Sequence, residues 1–273
     1  MATDIESRRI AEVDVTIGGA LAAPVLCAAH PADEFGADTV ALLREASAAS
    51  VVTVNPRGAT LEAMVECIER VRLELGVGAW TFWGMSGGGW LGQIYARKHP
   101  EVLTGLVLES ICGCFRARLA DPECVLSPFH PAWRAMLEEH GLLANESHDA
   151  VGDPDDTEWM SIGEASVFRR RRGPALVVSP MPLSPAMRER MPLFWAVDHR
   201  AWLPEVRVPT LVISGTADNV VPIAHARALH EAIAGSELVV VDNGGHVPVS
   251  EHRPEVGEAV RHLLLRLTVR TTV

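Results

Sequence analysis

Three residues carry the types and spacing needed to activate a hydroxyl for attack on a carbonyl. Ser86 lies in Gly84-Met85-Ser86-Gly87-Gly88, a G-x-S-x-G pentapeptide. The apolar run Ala79–Trp83 precedes it, and a helical pattern, Trp90–His99, follows. A serine at such a strand-to-helix turn sits exposed on a sharp elbow, and small flanking residues let the chain pass. The helix that follows points its positive end at the site and favours developing negative charge. Read alone, the pattern also fits a glycine-rich turn with an idle serine.

A serine needs a base, and the base needs an orienting acid. The chain has eleven histidines. His246, in Val239-Val-Val-Asp-Asn-Gly-Gly-His246-Val-Pro, falls on a glycine-bearing loop after an apolar run and before the last helical pattern. Loops at the carboxyl ends of parallel strands are where open α/β sheets place ligands. His99 reads as a helix end, and His225, His230, His252 and His262 read as surface residues of helices. Asp218, in Ser214-Gly-Thr-Ala-Asp218-Asn-Val-Val-Pro222, again follows an apolar run. It stands 132 residues after Ser86 and 28 before His246. By itself Asp218 is equally a turn or capping residue. Glu109, at the end of the run Leu103–Glu109, is a rival acid.

The elements needed to hold these residues are legible around them. Short apolar runs at Val13–Ile17, Pro24–Ala29, Val51–Val54, Ala79–Trp83, Leu103–Glu109, Thr210–Ser214 and Glu237–Val241 read as strands covered on both faces. Helical patterns at Thr39–Ala49, Leu61–Leu75, Gly87–His99, Ile223–Ala234 and Pro254–Leu267 lie between them. In Leu61–Leu75, residues Leu61, Met64, Val65, Ile68, Val71 and Leu75 share one face. Such alternation implies an α/β fold with a mostly parallel, doubly wound sheet. Residues 113–204 break the rhythm with prolines and the aromatics Phe115, Phe129, Trp133, Trp159 and Phe168 among helical pieces. The stretch Ser179–Pro185 cannot be regular helix, given its prolines. The expected division is a core of residues 1–112 and 205–273 with a helical cap inserted at 113–204. The alternative is a set of extra core helices.

Composition narrows the classes. Of 273 residues, 48% are hydrophobic and 22% charged, as for a globular protein. The net charge of −11 argues against a nucleic-acid partner, since phosphate contacts need basic patches. The run Arg169–Arg172 reads as a solvated loop or helix end, with an anion site as the alternative. No apolar run reaches the roughly 18–20 residues of a membrane span. The start, MATDIESRRI, lacks a signal-peptide layout, so a cytoplasmic protein with no membrane partner is expected. Cys27, Cys67, Cys112, Cys114 and Cys124 match no common zinc or disulfide framework; free buried thiols are expected, with Cys112-Gly113-Cys114 the one redox-like spacing. No nucleotide fingerprint or metal cluster is visible, so no cofactor and no metal are expected.

Taken together, the chain resembles the α/β-hydrolase superfamily, in its branch of capped esterases, thioesterases and proline-iminopeptidase-like enzymes. The resemblance covers nearly the whole chain. It rests on Val25-Leu-Cys-Ala-Ala-His30-Pro31, Asn55-Pro-Arg-Gly58, Gly84-Met-Ser-Gly-Gly88, Tyr95-Ala-Arg-Lys-His-Pro-Glu101, Ser214-Gly-Thr-Ala-Asp218 and Gly244-Gly-His246. The order Ser, Asp, His is the one this architecture uses. The resemblance implies a Ser86–Asp218–His246 triad and an oxyanion hole built from the N–H groups of Gly87 and Ala32. Where relatives have His-Gly, this chain has His30-Pro31, and proline has no N–H to give. His30 and Trp90 are expected to line the substrate pocket, although Trp90 can equally pack on the sheet. Asp33 reads as solvated, or else as a contact to a substrate's cationic or hydroxyl group. The implied activity is hydrolysis of a carboxylic ester, or a related thioester or lactone, of a small hydrophobic substrate through an acyl-enzyme. A carbon–carbon bond hydrolase or an amidase would use the same residues, and a non-catalytic ligand-binding protein on this fold stays open. The oligomeric state is not legible.

Overall fold

In the computed structural model, the described residues are 4–21, 24–142, 157–162, 165–170, 176–179 and 183–271. In chain order they form β1 (Ile5–Ile10), β2 (Val13–Gly18), β3 (Val25–Ala29), α1 (Ala37–Ser47), β4 (Ser50–Val54), α2 (Leu61–Glu74), β5 (Trp80–Met85), α3 (Gly87–Lys98) and β6 (Leu103–Glu109). There follow α4 (Phe115–Leu119), α5 (Pro131–Glu139), β7 (Thr157–Ile162), β8 (Ala165–Arg170), β9 (Leu176–Ser179) and α6 (Pro185–Trp195). The chain closes with β10 (Thr210–Gly215), α7 (Ile223–Ala232), β11 (Glu237–Val241), α8 (Pro248–Glu251) and α9 (Arg253–Thr271).

Contacts divide the chain into two units, Met1–Gly113 with His199–Asp218 and Ile223–Val273, and Cys114–Asp198 with Asn219–Pro222. The first holds an eight-stranded sheet in the order β1-β2-β4-β3-β5-β6-β10-β11. From β4 to β11 every neighbouring pair is parallel, while β2 runs antiparallel to both β4 and β1. The chain leaves β3 for β4 on one side and reaches β5 on the other, so the order reverses at β3. Open α/β sheets bind ligands at the carboxyl ends of the strands beside such a switch.

Burial explains which strands the sequence shows. Every residue of β3 is buried, as are the first five of β5, because helices cover both faces. Val40 and Leu43 of α1 and Val256, Val260 and Leu263 of α9 pack in one cluster with Leu26, Val51, Trp83, Val107 and Ile213 of the sheet. On α2, the expected apolar face is buried from Leu61 through Val71, and Thr60 caps the helix by accepting the Ala63 N–H at 3.1 Å. β1 shows no apolar run in the sequence because it lies at the sheet edge, where Glu6, Ser7, Arg8 and Arg9 face solvent.

The second unit corrects a helical expectation. Alongside α4, α5 and α6 it contains a three-stranded antiparallel sheet, β7-β8-β9. Ala165, Val167 and Val178 of this sheet pack with Leu137 and Leu142. Trp133 of α5 reaches the Val125 carbonyl through its Nε1–H at 2.8 Å. Residues 180–182, in the proline-rich stretch, and Arg171 and Arg172 lie outside the described residues, as do the side chains of Arg169 and Arg170. All five cysteines are buried, and none is in a disulfide.

Candidate active site

β5 delivers Ser86 through a strained turn. Ser86 has φ +47° and ψ −127°, and a serine at positive φ is held there only by its surroundings. Its N–H donates to the Glu109 carbonyl at 2.9 Å, and its carbonyl accepts from Gly89 N–H at 2.8 Å. Two flanking glycines are obligatory on steric grounds. A Cβ at Gly84 would lie 2.6 Å from the Gly88 carbonyl oxygen, and one at Gly88 would lie 2.2 Å from that of Ala29. α3 begins at Gly87, so the serine stands at the positive end of a twelve-residue helix.

His246 and Asp218 come from the loops after β11 and β10. His246 Nε2 lies 3.0 Å from Ser86 Oγ. Its Nδ1 lies 2.9 Å from Asp218 Oδ2 and 3.1 Å from Oδ1. A carboxylate can only accept, so Nδ1 carries the proton and the Nε2 lone pair faces the hydroxyl. The Asp218 side chain is fully buried, whereas a quarter of the His246 side chain is exposed. The two loops touch through their backbones. A Cβ on Gly215 would lie 2.0 Å from the Gly244 carbonyl oxygen, and that same carbonyl accepts from Ala217 N–H at 2.9 Å.

Glu109, the rival acid, has no bond to the histidine. Its Oε2 accepts the Trp83 indole N–H at 2.8 Å and its Oε1 accepts the Val249 N–H at 2.7 Å. Complete burial pushes its carboxyl up to about 7, against the pull of those two bonds. It joins β5, just upstream of Ser86, to α8, just downstream of His246. A second carboxylate beside His246 is absent from the residues the sequence points to: Glu251 Oε2 accepts from Gly245 N–H at 2.5 Å and Oε1 accepts from Val247 N–H at 3.0 Å. The only signal for it in the sequence is an acidic residue five positions after the histidine.

The expected oxyanion and pocket residues have mixed positions. Gly87 directly follows the serine, as required. His30 is buried, and its Nδ1 accepts from Ala32 N–H at 3.2 Å and Asp33 N–H at 2.8 Å. Its ring edge lies against the elbow, since a Cβ on Gly87 would meet Nε2 at 2.8 Å. Burial lowers its pKa to about 4, opposed by the Asp33 carboxylate and aided by His246. Trp90 corrects the pocket expectation: it is 2% exposed, and its Nε1–H donates to the Cys112 carbonyl at 2.9 Å, so it packs within the core. Among the described residues, no group of three His, Cys, Asp or Glu is placed to hold a metal, and no helix is long and apolar enough to cross a membrane.

This sheet, elbow and loop arrangement defines a class, and the chain belongs to the α/β-hydrolase superfamily. Residues 190–272 match the family model of TAP-like proteins. The chain is 30% identical over 174 residues to a pimeloyl-(acyl-carrier protein) methyl ester esterase of Aromatoleum aromaticum, covering 62% of this chain and 67% of the relative. It is 27% identical over 202 residues to a proline iminopeptidase of Neisseria meningitidis, covering 66% and 65%. The matches thus span about two thirds of these relatives. A hydrolase of the α/β fold from Bacillus anthracis superposes with a TM-score of 0.71 at 15% identity, over 95% of this chain and 99% of the other.

Proposed function

We propose that the protein is a serine hydrolase that cleaves a carboxylic ester, or a related thioester or lactone, of a small hydrophobic substrate. The observation that carries this reading is the unbroken run of hydrogen bonds from Ser86 Oγ through His246 to Asp218. In the reaction, His246 Nε2 takes the Ser86 proton as Oγ bonds to the carbonyl carbon, and the carbonyl electron pair moves onto oxygen. Asp218 holds the imidazolium that results. The tetrahedral species collapses, the leaving group departs with the proton from His246, and water then releases the acid by the same steps. The Gly87 N–H supports the oxyanion.

The named relatives include an ester hydrolase and a proline iminopeptidase, which supports hydrolysis of ester or amide bonds as the class. The ester is preferred here because its leaving group departs more readily than an amine. Residues 113–204 are proposed as the insertion that selects the substrate.

A fluorophosphonate probe tests the reading directly. The full chain should label, and Ser86→Ala should not. Equal labelling of both proteins would sink it. A series of p-nitrophenyl esters of increasing acyl length, compared with prolyl p-nitroanilide, then separates ester from aminopeptidase activity.

A further inference from the structure

The loop after β3 keeps its backbone donors from the space above Ser86, and the geometry around His30 offers another. Pro31 has no N–H. The next two amides, of Ala32 and Asp33, both point at His30 Nδ1, at 3.2 and 2.8 Å. None of these three positions therefore offers an unengaged backbone donor to the space above Ser86. Yet a tetrahedral oxyanion needs more than the Gly87 amide, because each missing donor costs about 10²–10³ in rate.

The same two bonds fix the state of the imidazole. An Nδ1 that accepts two N–H groups carries no proton, so the proton of the neutral ring sits on Nε2. The Asp33 carboxylate oxygen lies 3.1 Å from Nδ1 and would favour a proton there. That carboxylate is more than half exposed, whereas the ring is 3% exposed, so solvent screens the first while burial keeps the second neutral. The Phe35 ring, centred 5.9 Å away, backs the imidazole.

Nε2 then faces the elbow. It lies 2.8 Å from the place a Cβ would take on Gly87. Covalent geometry puts a Cβ about 2.5 Å from its own backbone nitrogen, so Nε2 is within about 5.3 Å of the Gly87 amide. One oxygen at about 2.7–3.1 Å from each of two donors bridges that separation. Gly87 is what makes the approach possible, because any side chain there would occupy the position of the ring.

We infer that the His30 Nε2–H is the second oxyanion donor, in place of the Ala32 amide. The inference rests on the reading of Ser86 as nucleophile. When Oγ adds to the carbonyl carbon and its proton passes to His246, the oxygen that gains the electron pair accepts from Gly87 N–H and His30 Nε2–H. No proton moves from His30, which stays neutral throughout.

The test uses the full chain with a fluorophosphonate and a p-nitrophenyl ester. His30→Ala and His30→Phe should slow labelling and lower kcat by about 10²–10³, with KM changed less than about threefold. His30→Gln, which keeps an N–H donor, should recover part of the loss. Wild-type rates in His30→Ala would overturn the inference and leave Ala32 as the donor. If Ser86→Ala labels as well as wild type, the nucleophile reading itself fails, a different outcome. Should the variants not fold, 15N-histidine NMR of the wild-type protein decides. A boronic acid bound to Ser86 should shift the His30 Nε2–H proton downfield and slow its exchange. A His30 ring protonated on Nδ1, or unmoved by the boronate, would equally overturn it.

Discussion

Glu251 grips the backbone on both sides of His246, one carboxylate oxygen on the Gly245 N–H and the other on the Val247 N–H. The histidine is thus set by its neighbours' amides as well as by Asp218. Glu251→Ala should lower kcat by about 10–100-fold, since misplacing a catalytic group by about 1 Å costs up to 10²-fold. KM should hardly move. Glu251→Gln keeps one accepting oxygen and should fall between. Steady-state kinetics on a p-nitrophenyl ester measures both. Unchanged kcat in Glu251→Ala would mean that Asp218 alone suffices.

Glu109 and His30 make opposite contributions to the pH dependence of stability. Glu109 binds its proton more tightly when folded, with a pKa of about 7 against an ordinary 4.5. Between those values the folded state holds a proton that the unfolded chain has lost, so stability falls as pH rises. In Glu109→Gln this loss should vanish, and the gap in Tm to wild type should change steadily from pH 4.5 to 7. A constant gap across that window would contradict the assignment.

His30 works the other way. Its folded pKa of about 4 lies below its ordinary 6.5. The unfolded chain binds the extra proton between those values, so the stability this residue leaves intact above 6.5 is lost as pH falls towards 4. Because the two windows overlap, the wild-type Tm should be flatter from pH 4.5 to 6.5 than that of either Glu109→Gln or His30→Phe. Thermal unfolding of the three proteins across a pH series checks this.

The elbow glycine has a backbone neighbour that cannot yield. Gly88→Ala would place a Cβ 2.2 Å from the Ala29 carbonyl oxygen. We expect about 1–3 kcal/mol of destabilisation, the range for overpacking, by urea unfolding. Gly78→Ala, whose Cβ would meet nothing within 4 Å and whose φ is not positive, is the matched control and should cost much less.

Ser86 supplies a contrast between stability and function. Its φ of +47° is strained for any residue with a Cβ. Ser86→Gly relieves that strain and Ser86→Ala does not. Both should be inactive, yet the glycine variant should be the more stable by about 1 kcal/mol in chemical denaturation, strain relief outweighing the added freedom of its unfolded chain.

Legibility in the sequence followed burial. β3, β5 and β10 are covered on both faces, so their apolar runs stood out, whereas β1 exposes four polar residues in a row and left no trace. The strands β7, β8 and β9 are short and lie in a proline-bearing stretch of sequence that reads as helical pieces. Ser86, Asp218 and His246 stand out because each sits among small residues in the loop after a parallel strand, although of those strands only β5 and β10 are buried and the edge strand β11 is largely half-exposed. Glu109 was visible as a carboxyl in the right layer, but only side-chain direction could show that it serves Trp83 and Val249. His30 was legible as a motif residue, while the sense of its ring, with backbone amides on one nitrogen and the elbow at the other, is purely three-dimensional.

Gly215 and Gly244 pack so closely that the loops bearing Asp218 and His246 share one hydrogen-bonded seam, Ala217 N–H to Gly244 and Thr216 N–H to Val241. We expect such a seam to open as a whole. The amides of Thr216 and Ala217 should exchange with solvent deuterium at matched free energies, and denaturant should extinguish them together. Loss of activity on mild heating would then be an all-or-nothing parting of two loops, in which the histidine forfeits its orienting carboxylate and its own footing in the same event.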